Sequence, residues 1–271
     1  MTLSAAPIAV ILARGLGTRL RAASQVALDA GAAAVAATGV KALLPDAEGR
    51  PFLDHVLTDL ADAGIHEIVL VIGPEHDSLR NYYSRLPVTR LRITFAVQAQ
   101  PLGTADAVIA ATKEIAGRDF LVFNSDNRYP VSALAALRYL SQPGTVGFHR
   151  SGLLRGNLTP ARIQAFAVIS TRDGYLTQII EKPSAAVLAT FGDDPLLSMN
   201  CWRGDAQLLK ACANVTRSPR GELELTDAVA LVLQGGGSFQ VIESSEPVLD
   251  LSSRDDLSSV RSALAGHQVR L

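Results

Sequence analysis

The sequence predicts an α/β protein of three layers, with a mostly parallel, mixed central sheet between two layers of helices. Continuous apolar runs, typical of strands buried on both faces, alternate with segments whose apolar residues recur at helical spacing. The 271 residues, 48% of them hydrophobic and 19% charged, are enough to bury such a core. The same composition excludes an intrinsically disordered chain.

The first half of the chain contains the clearest elements. Apolar residues over 51–63 recur at helical spacing, and Gly64 follows where a C-terminal cap belongs. Thr104 is a candidate N-cap for a helix that continues to about residue 116. Strands are predicted at 8–13, 68–72, 91–97 and 120–123.

After residue 143 the predicted strands come closer together. They lie at 166–170, 176–180 and 197–202, with a turn at 172–174. Helical patterns return at 205–213, 226–234 and 254–264. Because no linker and no internal repeat interrupts the chain, we expect one domain over 1–271, in two halves that meet near residue 125.

Charge and cysteine content exclude several classes of protein. With 25 Lys+Arg against 26 Asp+Glu, the net charge of -1 argues against a protein that wraps nucleic acid. Cys201 and Cys212 cannot form a disulfide framework, so we expect reduced thiols. No secretory pattern precedes the first strand, and the alanine-rich stretch 22–40 is too polar to span a bilayer. We therefore expect a cytoplasmic protein without a membrane partner.

The first predicted strand leads directly into a glycine-containing turn, Gly15-Leu16-Gly17-Thr18-Arg19. Backbone N–H groups of such a turn can converge on an anion, although a purely structural turn is the alternative. A dinucleotide fingerprint would need glycine at position 20, where the chain has Leu20. A P-loop would need a Gly-Lys pair, which the sequence lacks. Both of these nucleotide motifs are therefore excluded.

Seven motifs in chain order resemble those of the sugar-1-phosphate nucleotidylyltransferases. The opening LARGLGTRL at 12–20 is similar to the family's L-A-x-G-x-G-T-R-L. KALLP at 41–45, with GRP at 49–51, resembles its P-K-x-L-L-P and G-[KR]-P segments. Further resemblances lie at 98–107, 124–127, 166–168 with 179–183, 198–200 and 248–257. Seven matches in order are far more specific than any one of them.

The resemblance implies a Rossmann-like nucleotidyltransferase fold and a defined reaction. An NTP and a sugar 1-phosphate would form an NDP-sugar and pyrophosphate, by Mg²⁺-dependent in-line attack on the α-phosphorus. Positioning and charge neutralisation would carry such catalysis, since no covalent protein nucleophile is needed. The implied partners are these two small molecules, and a homo-oligomer is compatible with the sequence.

The resemblance also assigns residues to roles. The implied catalytic residues are Arg19, Lys41 and Asp126. Those implied for nucleotide binding are Leu12, Ala13, Arg14, Gly15, Gly17, Thr18, Gln98, Gly103 and Thr104. Those implied for the sugar phosphate are Asn127, Ala167, Glu181, Lys182 and Asn200. Asp126 and Asp250 would hold the metal, with Asp227 as a rival that we interpret instead as a helix-start residue.

The chain departs from the family pattern in three places. Arg14 stands where the family has Gly or Ala, and it would either grip the triphosphate or crowd the base. Ala167 replaces a glycine beside the sugar. The stretch 19–41 is longer than in the family, and we expect it to contain a short helix, broken by Gly31 and Gly39, and to act as a flap beside the nucleotide.

Several alternatives stay open at this point. Gln98 with Gly103 suits a pyrimidine base, whereas 103–108 also resembles ADP-glucose-forming relatives. Trp202 would either stack on a sugar or pack in the core, and the five histidines show no ligand spacing and receive no chemical role. Alternative functions are transfer to an alditol, cyclitol or cofactor-precursor phosphate, and a catalytically silent NDP-sugar-binding regulator. We expect no left-handed β-helix of the kind that some relatives append.

Overall fold

A computed structural model describes residues 7–15, 17 and 30–271 of the chain. Thr18, Arg19 and the first part of the predicted flap, as far as residue 29, lie outside these residues. The described strands are β1 (Ile8–Leu12), β2 (Glu67–Ile72), β3 (Arg92–Val97), β4 (Phe120–Asn124), β5 (Asn127–Arg128), β6 (Gly144–His149), β7 (Ala167–Arg172), β8 (Tyr175–Ile180), β9 (Leu196–Gly204), β10 (Gln240–Ser244) and β11 (Leu249–Asp250).

Nine of these strands form one mixed sheet, in the order β3-β2-β1-β4-β9-β6-β10-β8-β7. The strands β3, β2, β1 and β4 are parallel, so that Val10 lies opposite both Val69 and Val122. Strand β9 runs antiparallel to β4 and β6, whereas β6 and β10 are parallel. The remaining two strands, β5 and β11, form a separate antiparallel ribbon. The predicted mixed sheet is confirmed.

Helices cover both faces of the sheet. Side chains of β1 alternate between two cores, with Ala9 and Ile11 in one and Ile8 and Val10 in the other. The first core is covered by Ala30–Thr38, Phe52–Asp62, Asp77–Arg85, Val131–Tyr139 and Asp256–Leu264. The second core is covered by Thr104–Ala110, Thr112–Ile115, Ala206–Cys212 and Leu225–Gln234. The three predicted layers are therefore present. Among the described residues, every helix is too short or too polar to cross a membrane.

Glycines end elements where the sequence predicts, with one exception. The helix Phe52–Asp62 is followed by Gly64 at φ +78°, a left-handed conformation that closes helix C-termini. The helix Ala30–Thr38 ends before Gly39, also at φ +78°. Gly31, in contrast, lies within the first turn of that helix, so the predicted break at Gly31 is wrong.

Thr104 does not cap its own helix. The residue before the helix Thr104–Ala110 is Gly103, and Thr104 Oγ1 instead accepts the backbone N–H of Leu225 at 2.8 Å. The helix also stops at Ala110, and a second short helix occupies Thr112–Ile115. The prediction of one continuous helix to residue 116 is therefore wrong, and so is the predicted cap, because the threonine hydroxyl is used to join two parts of the chain.

Trp202 belongs to the core. Its side chain is fully buried, and its ring packs edge-on against Phe239 with the ring centroids 5.7 Å apart. The alternative role of stacking on a sugar is therefore wrong. Cys201 and Cys212 are free and buried, as expected of reduced thiols, and burial raises the pKa of Cys212 to about 12.

The structure pairs two histidines that sequence reasoning left without a role. His55 Nδ1 and His267 Nδ1 are 2.8 Å apart. The other ring nitrogens lie against carboxylates, His55 Nε2 at 2.8 Å from Asp46 and His267 Nε2 at 3.1 Å from Asp59. Asp59 also accepts two hydrogen bonds from Arg128, which directly follows the Asp126-Asn127 pair. Through His267, the C-terminal segment therefore binds the helix Phe52–Asp62.

This histidine pair predicts a loss of stability in mild acid. Burial, followed by the charge of Arg128, lowers the pKa of His267. The unfolded chain, with an ordinary histidine pKa of about 6.5, then binds more protons than the folded chain as the pH falls below that value. The stabilising contribution of neutral His267 is therefore complete above about pH 6.5 and is lost as the pH decreases towards the lowered pKa.

Urea unfolding of the wild type and of His267→Gln between pH 8 and 5 measures this contribution. The difference in unfolding free energy between the two proteins is expected to shrink below pH 6.5. His66→Gln, which changes an exposed histidine bonded only to the Arg90 carbonyl, serves as the control. A difference that stays constant across the whole pH range would contradict the interpretation.

Candidate active site

A cleft lies at the carboxyl ends of the parallel strands β1, β3 and β4, where open α/β sheets bind their ligands. Its cavity volume is about 380 Å³. Ten of the residues singled out from the sequence line it: Leu12, Ala13, Arg14, Gly15, Lys41, Gln98, Gly103, Thr104, Asp126 and Asn200. Gly17 packs against the Gly39 backbone and does not itself line the cavity, and Thr18 and Arg19 lie outside the described residues.

A second cavity of about 200 Å³ adjoins the first. It is lined by the residues implied for the sugar phosphate, together with Asp250: Asn127, Ala167, Glu181, Lys182, Asn200 and Asp250. The two cavities share Asn124, Asp126 and Asn200. Asp126 therefore stands where the two ends of the cleft meet.

Lys41 reaches this junction in spite of the long stretch that precedes it. It begins the 3₁₀ turn Lys41–Leu43, and its Nζ lies 3.1 Å from Asp126 Oδ2. Both side chains retain some exposure, 18% for Lys41 and 25% for Asp126. A cation and a carboxylate that stay open to solvent between two cavities are available to a charged ligand.

The ribbon of β5 and β11 brings a second carboxylate to Asp126. Asp250 is the register partner of Asn127, and Asn127 Nδ2 donates to Asp250 Oδ2 at 3.1 Å. Burial raises the pKa of Asp250, and the negative charge of Asp126 raises it further. Asp227 lines a separate surface cavity near the turn 214–219. The structure thus brings Asp250, and not Asp227, to the junction.

The residues at the junction fit a magnesium ion that also binds a phosphate. Within the described part of the chain, no group of three or more histidine, cysteine, aspartate or glutamate side chains forms a complete metal cage. Magnesium, however, typically uses one or two carboxylates and completes its shell with water and substrate phosphates. Asp126 and Asp250, which lie near enough for the charge of Asp126 to raise the pKa of Asp250, match that donor set.

Arg14 is not a free cation in the cleft, and it does not fill the cleft either. Its Nε and Nη2 donate to the two carboxylate oxygens of Glu75 at 3.1 and 3.2 Å, and its Nη1 donates to the Gln98 carbonyl at 2.5 Å. Only 7% of the side chain is exposed. Arg14 therefore links the segments that follow β1, β2 and β3. Glu75, its partner, carried no signal in the sequence.

The orientation of the Gln98 amide is fixed by its neighbours. Its Nε2 donates to the Gly103 carbonyl at 3.0 Å and to Asp106 Oδ2 at 2.7 Å. Carbonyl and carboxylate oxygens only accept, so both amide hydrogens are used. The Gln98 Oε1 is thus the amide atom left for a ligand that donates a hydrogen bond.

Gly103 lies where the two halves of the chain meet. Leu223 N donates to the Leu102 carbonyl at 2.7 Å, and Ala105 N donates to the Leu223 carbonyl at 2.9 Å. Between these bonds, Gly103 adopts φ +129°, and a Cβ there would contact the Leu223 carbonyl oxygen and lie 2.6 Å from its nitrogen. Only glycine allows so close an approach.

At the other end of the cleft, Glu181 and Lys182 follow strand β8. Burial raises the pKa of Glu181, although the nearby Arg220 opposes this effect. Arg220 Nη2 lies 3.5 Å from Glu181 and 2.6 Å from Glu224. Sequence reasoning missed Arg220, which belongs to none of the motifs.

Two residues of this end are held in an unusual backbone conformation. Lys182 has φ +45° and Asn200 has φ +55°, the left-handed region that residues other than glycine rarely adopt. Such conformations cluster at ligand sites, where the surrounding structure maintains them. Both residues line the 200 Å³ cavity.

The fold and the cleft together define a nucleotide-dependent transferase, and the family comparison agrees. A family model described as nucleotidyl transferase matches residues 8–258. The chain belongs to the nucleotidyl transferase family. It is accordingly an enzyme of the nucleotidyltransferase class.

Curated relatives carry related names. The chain is 28% identical over 232 residues to the low-salt glycan biosynthesis nucleotidyltransferase Agl11 of Haloferax volcanii, covering 84% of this chain and 57% of Agl11. It is 32% identical over 254 residues to the bifunctional protein GlmU of Nitrobacter hamburgensis, covering 88% of this chain and 48% of GlmU. The chain therefore spans about half the length of these relatives.

Solved structures support the fold. A UDP-glucose pyrophosphorylase complexed with UDP-glucose superposes with a TM-score of 0.74 at 15% identity, covering 97% of this chain and all of that one. A UDP-glucose pyrophosphorylase from Acinetobacter baumannii has a TM-score of 0.72 at 18% identity, covering 97% of this chain and 95% of that one. Both comparisons confirm the predicted nucleotidyltransferase fold.

Proposed function

We propose that the protein joins an NTP and a sugar 1-phosphate into an NDP-sugar, releasing pyrophosphate. The observation that carries this proposal is the position of the Lys41–Asp126 pair, where a 380 Å³ cavity and a 200 Å³ cavity meet. In-line transfer needs the α-phosphorus between its two reactants, with charge neutralised at that point. A junction between two cavities provides this arrangement.

The chain's own residues would act by binding and neutralising charge. Lys41 would leave Asp126 for the α-phosphate side, and Arg19 would neutralise the departing pyrophosphate. Backbone groups near Gly15 and Gly17, with Thr18, would form the phosphate cradle. Asp126 and Asp250 would hold Mg²⁺, which supplies charge neutralisation and orientation of the phosphates.

Base and sugar would occupy opposite ends of the cleft. Gln98 Oε1 and the backbone at Leu12, Ala13 and Gly103 would contact the base, beside Arg14 and Thr104. Glu181 would accept hydrogen bonds from sugar hydroxyls, and Lys182 would neutralise the sugar phosphate. Asn127, Ala167 and Asn200 complete that end.

We also propose that residues 1–271 act as one cytoplasmic domain. The hydrogen bonds between 102–105 and 222–225 join the nucleotide half and the sugar half of the cleft. A silent regulator is the less supported alternative, because the charged residues implied for catalysis, metal and sugar phosphate that the structure describes all line the cleft: Lys41, Asp126, Glu181, Lys182 and Asp250.

A thermal-shift panel tests this proposal. ATP, GTP, CTP, UTP and dTTP are added with Mg²⁺, each alone and with a series of sugar 1-phosphates and non-sugar phosphates. A ligand at 100 times its Kd stabilises a protein by about 2.7 kcal/mol, so a cognate NTP produces a clear shift in Tm. Gln98→Ala is expected to weaken the response to every NTP. No shift with any nucleotide would contradict the proposal.

A further inference from the structure

Arg162 contacts Asp250 from the side away from the cleft. It lies in the short helix Pro160–Ile163, and its two terminal nitrogens bind different acids, Asp250 Oδ1 and Asp256 Oδ1. Asp250 lines the sugar end of the cleft, whereas Arg162 lines neither of the two described cavities. Arg162 therefore acts on the site only through the carboxylate that it holds.

The carboxylate of Asp250 is fixed at both oxygens. Oδ1 accepts from Arg162 and, at 2.5 Å, from Ser252 Oγ, while Oδ2 accepts from Asn127 Nδ2 at 3.1 Å. Its backbone is held by Asn157, which accepts from Asp250 N at 2.9 Å and donates to Asp250 O at 2.7 Å. Because β11 has only two residues, the strand alone does not fix this side chain.

Asp256 fixes Arg162 in turn. Its Oδ2 accepts the backbone N–H groups of Ser252 and Ser253 at 3.0 and 2.7 Å, and the Ser253 hydroxyl at 2.9 Å. This buried acid at the start of the helix Asp256–Leu264 leaves its Oδ1 for Arg162. A guanidinium, whose donors point in several fixed directions, bridges two acids that an ammonium would not span.

We propose that Arg162 is a positioning residue that keeps Asp250 turned towards Asp126, so that the two carboxylates can share one divalent cation. This inference rests on the proposed function. Groups that orient a ligating side chain from behind typically change metal affinity by about 10- to 100-fold when they are removed. Arg162 is such a group, because it contacts Asp250 without itself lining the cleft.

Manganese is the probe for the test, because its binding is measured by electron paramagnetic resonance without turnover. Titrations use the NTP with the largest thermal shift, in the wild type, Arg162→Gln and Arg162→Lys. Arg162→Gln is expected to weaken Mn²⁺ binding about tenfold or more, with NTP affinity in the absence of metal unchanged. Arg162→Lys is expected to recover part of the loss, and it serves as the folded comparison if the Gln variant is unstable.

Two further variants distinguish a failure of the positioning role from a failure of the proposed function. Arg155→Gln removes an exposed arginine that binds only the Ser245 carbonyl, and it should match the wild type. If Asp250→Asn weakens Mn²⁺ binding while Arg162→Gln binds as tightly as or more tightly than the wild type, the positioning role is overturned and the proposed function stands. If the wild type binds no Mn²⁺, the metal part of the proposed function fails and this inference fails with it.

Discussion

Replacing Asp126 with Asn is expected to reduce pyrophosphate release by at least about 100-fold, because it removes a carboxylate proposed to hold Mg²⁺, whose stabilisation of transition-state charge is worth several kcal/mol. Asp126 is shared by both cavities and is paired with Lys41. The substitution keeps the shape of the side chain and removes its charge. Turnover is measured by coupled detection of pyrophosphate.

The fold is expected to survive this substitution. A partly exposed ion pair such as Lys41–Asp126 contributes about 1 kcal/mol or less. The matched control is Asp227→Asn, at the rival position in a separate cavity, and it should retain activity within about twofold of the wild type. If the Asp227 variant loses as much activity as the Asp126 variant, the assignment of the junction is wrong.

Gly103→Ala is expected to destabilise the protein by about 3 kcal/mol and to weaken nucleotide binding. The conformation at φ +129° and ψ -178° belongs almost only to glycine and costs other residues about 1–3 kcal/mol. A methyl group would also contact the Leu223 backbone, which cannot move aside without breaking its bonds to Leu102 and Ala105. Urea unfolding and NTP titration measure the two effects.

Gly117→Ala is the control for conformation alone. Gly117 has φ +75°, and a Cβ there would meet nothing within 4 Å. The left-handed conformation alone costs about 1–2 kcal/mol. Equal destabilisation by the two substitutions would show that the contact between Gly103 and Leu223 contributes little.

The sequence predicted those elements of the fold whose signal lies within a few neighbouring residues. The strands β1, β2 and β4 are recognisable because both of their faces are buried, which requires continuous apolar runs. The turn at Asp173-Gly174 is recognisable because both residues adopt positive φ, at 54° and 79°. These features need no knowledge of the distant chain.

Other elements were missed because their signals lie in distant contacts. Strand β6 contains Gly144 and Gly147, residues that argue against a strand. In the fold, a Cβ at Gly144 would lie 2.7 Å from the Gln240 carbonyl oxygen, so glycine permits the pairing with β10. The helix Asp77–Arg85 is mostly polar and buries only Leu79 and Tyr83, too few for a periodic signal.

In the candidate site, too, residues with a local signal were recognised and residues that depend on distant contacts were not. Motif order identified Lys41, Asp126 and Asp250, and the structure brings these three to one junction. Arg162 was not recognised, because a lone arginine in a four-residue helix has no signature until its partners, far along the chain, fold around it. The pairing of His55 with His267 was missed for the same reason.

Transfer of a labelled α-phosphate tests the central claim most directly. The wild type is incubated with Mg²⁺, a sugar 1-phosphate and an NTP labelled at the α-phosphorus, and in parallel with the same NTP labelled at the γ-phosphorus. The α label is expected to appear in an NDP-sugar and the γ label in pyrophosphate, at equal rates. Retention of both labels in the NTP, or release of the α label as free nucleotide, for every combination of base and sugar phosphate would contradict the central claim.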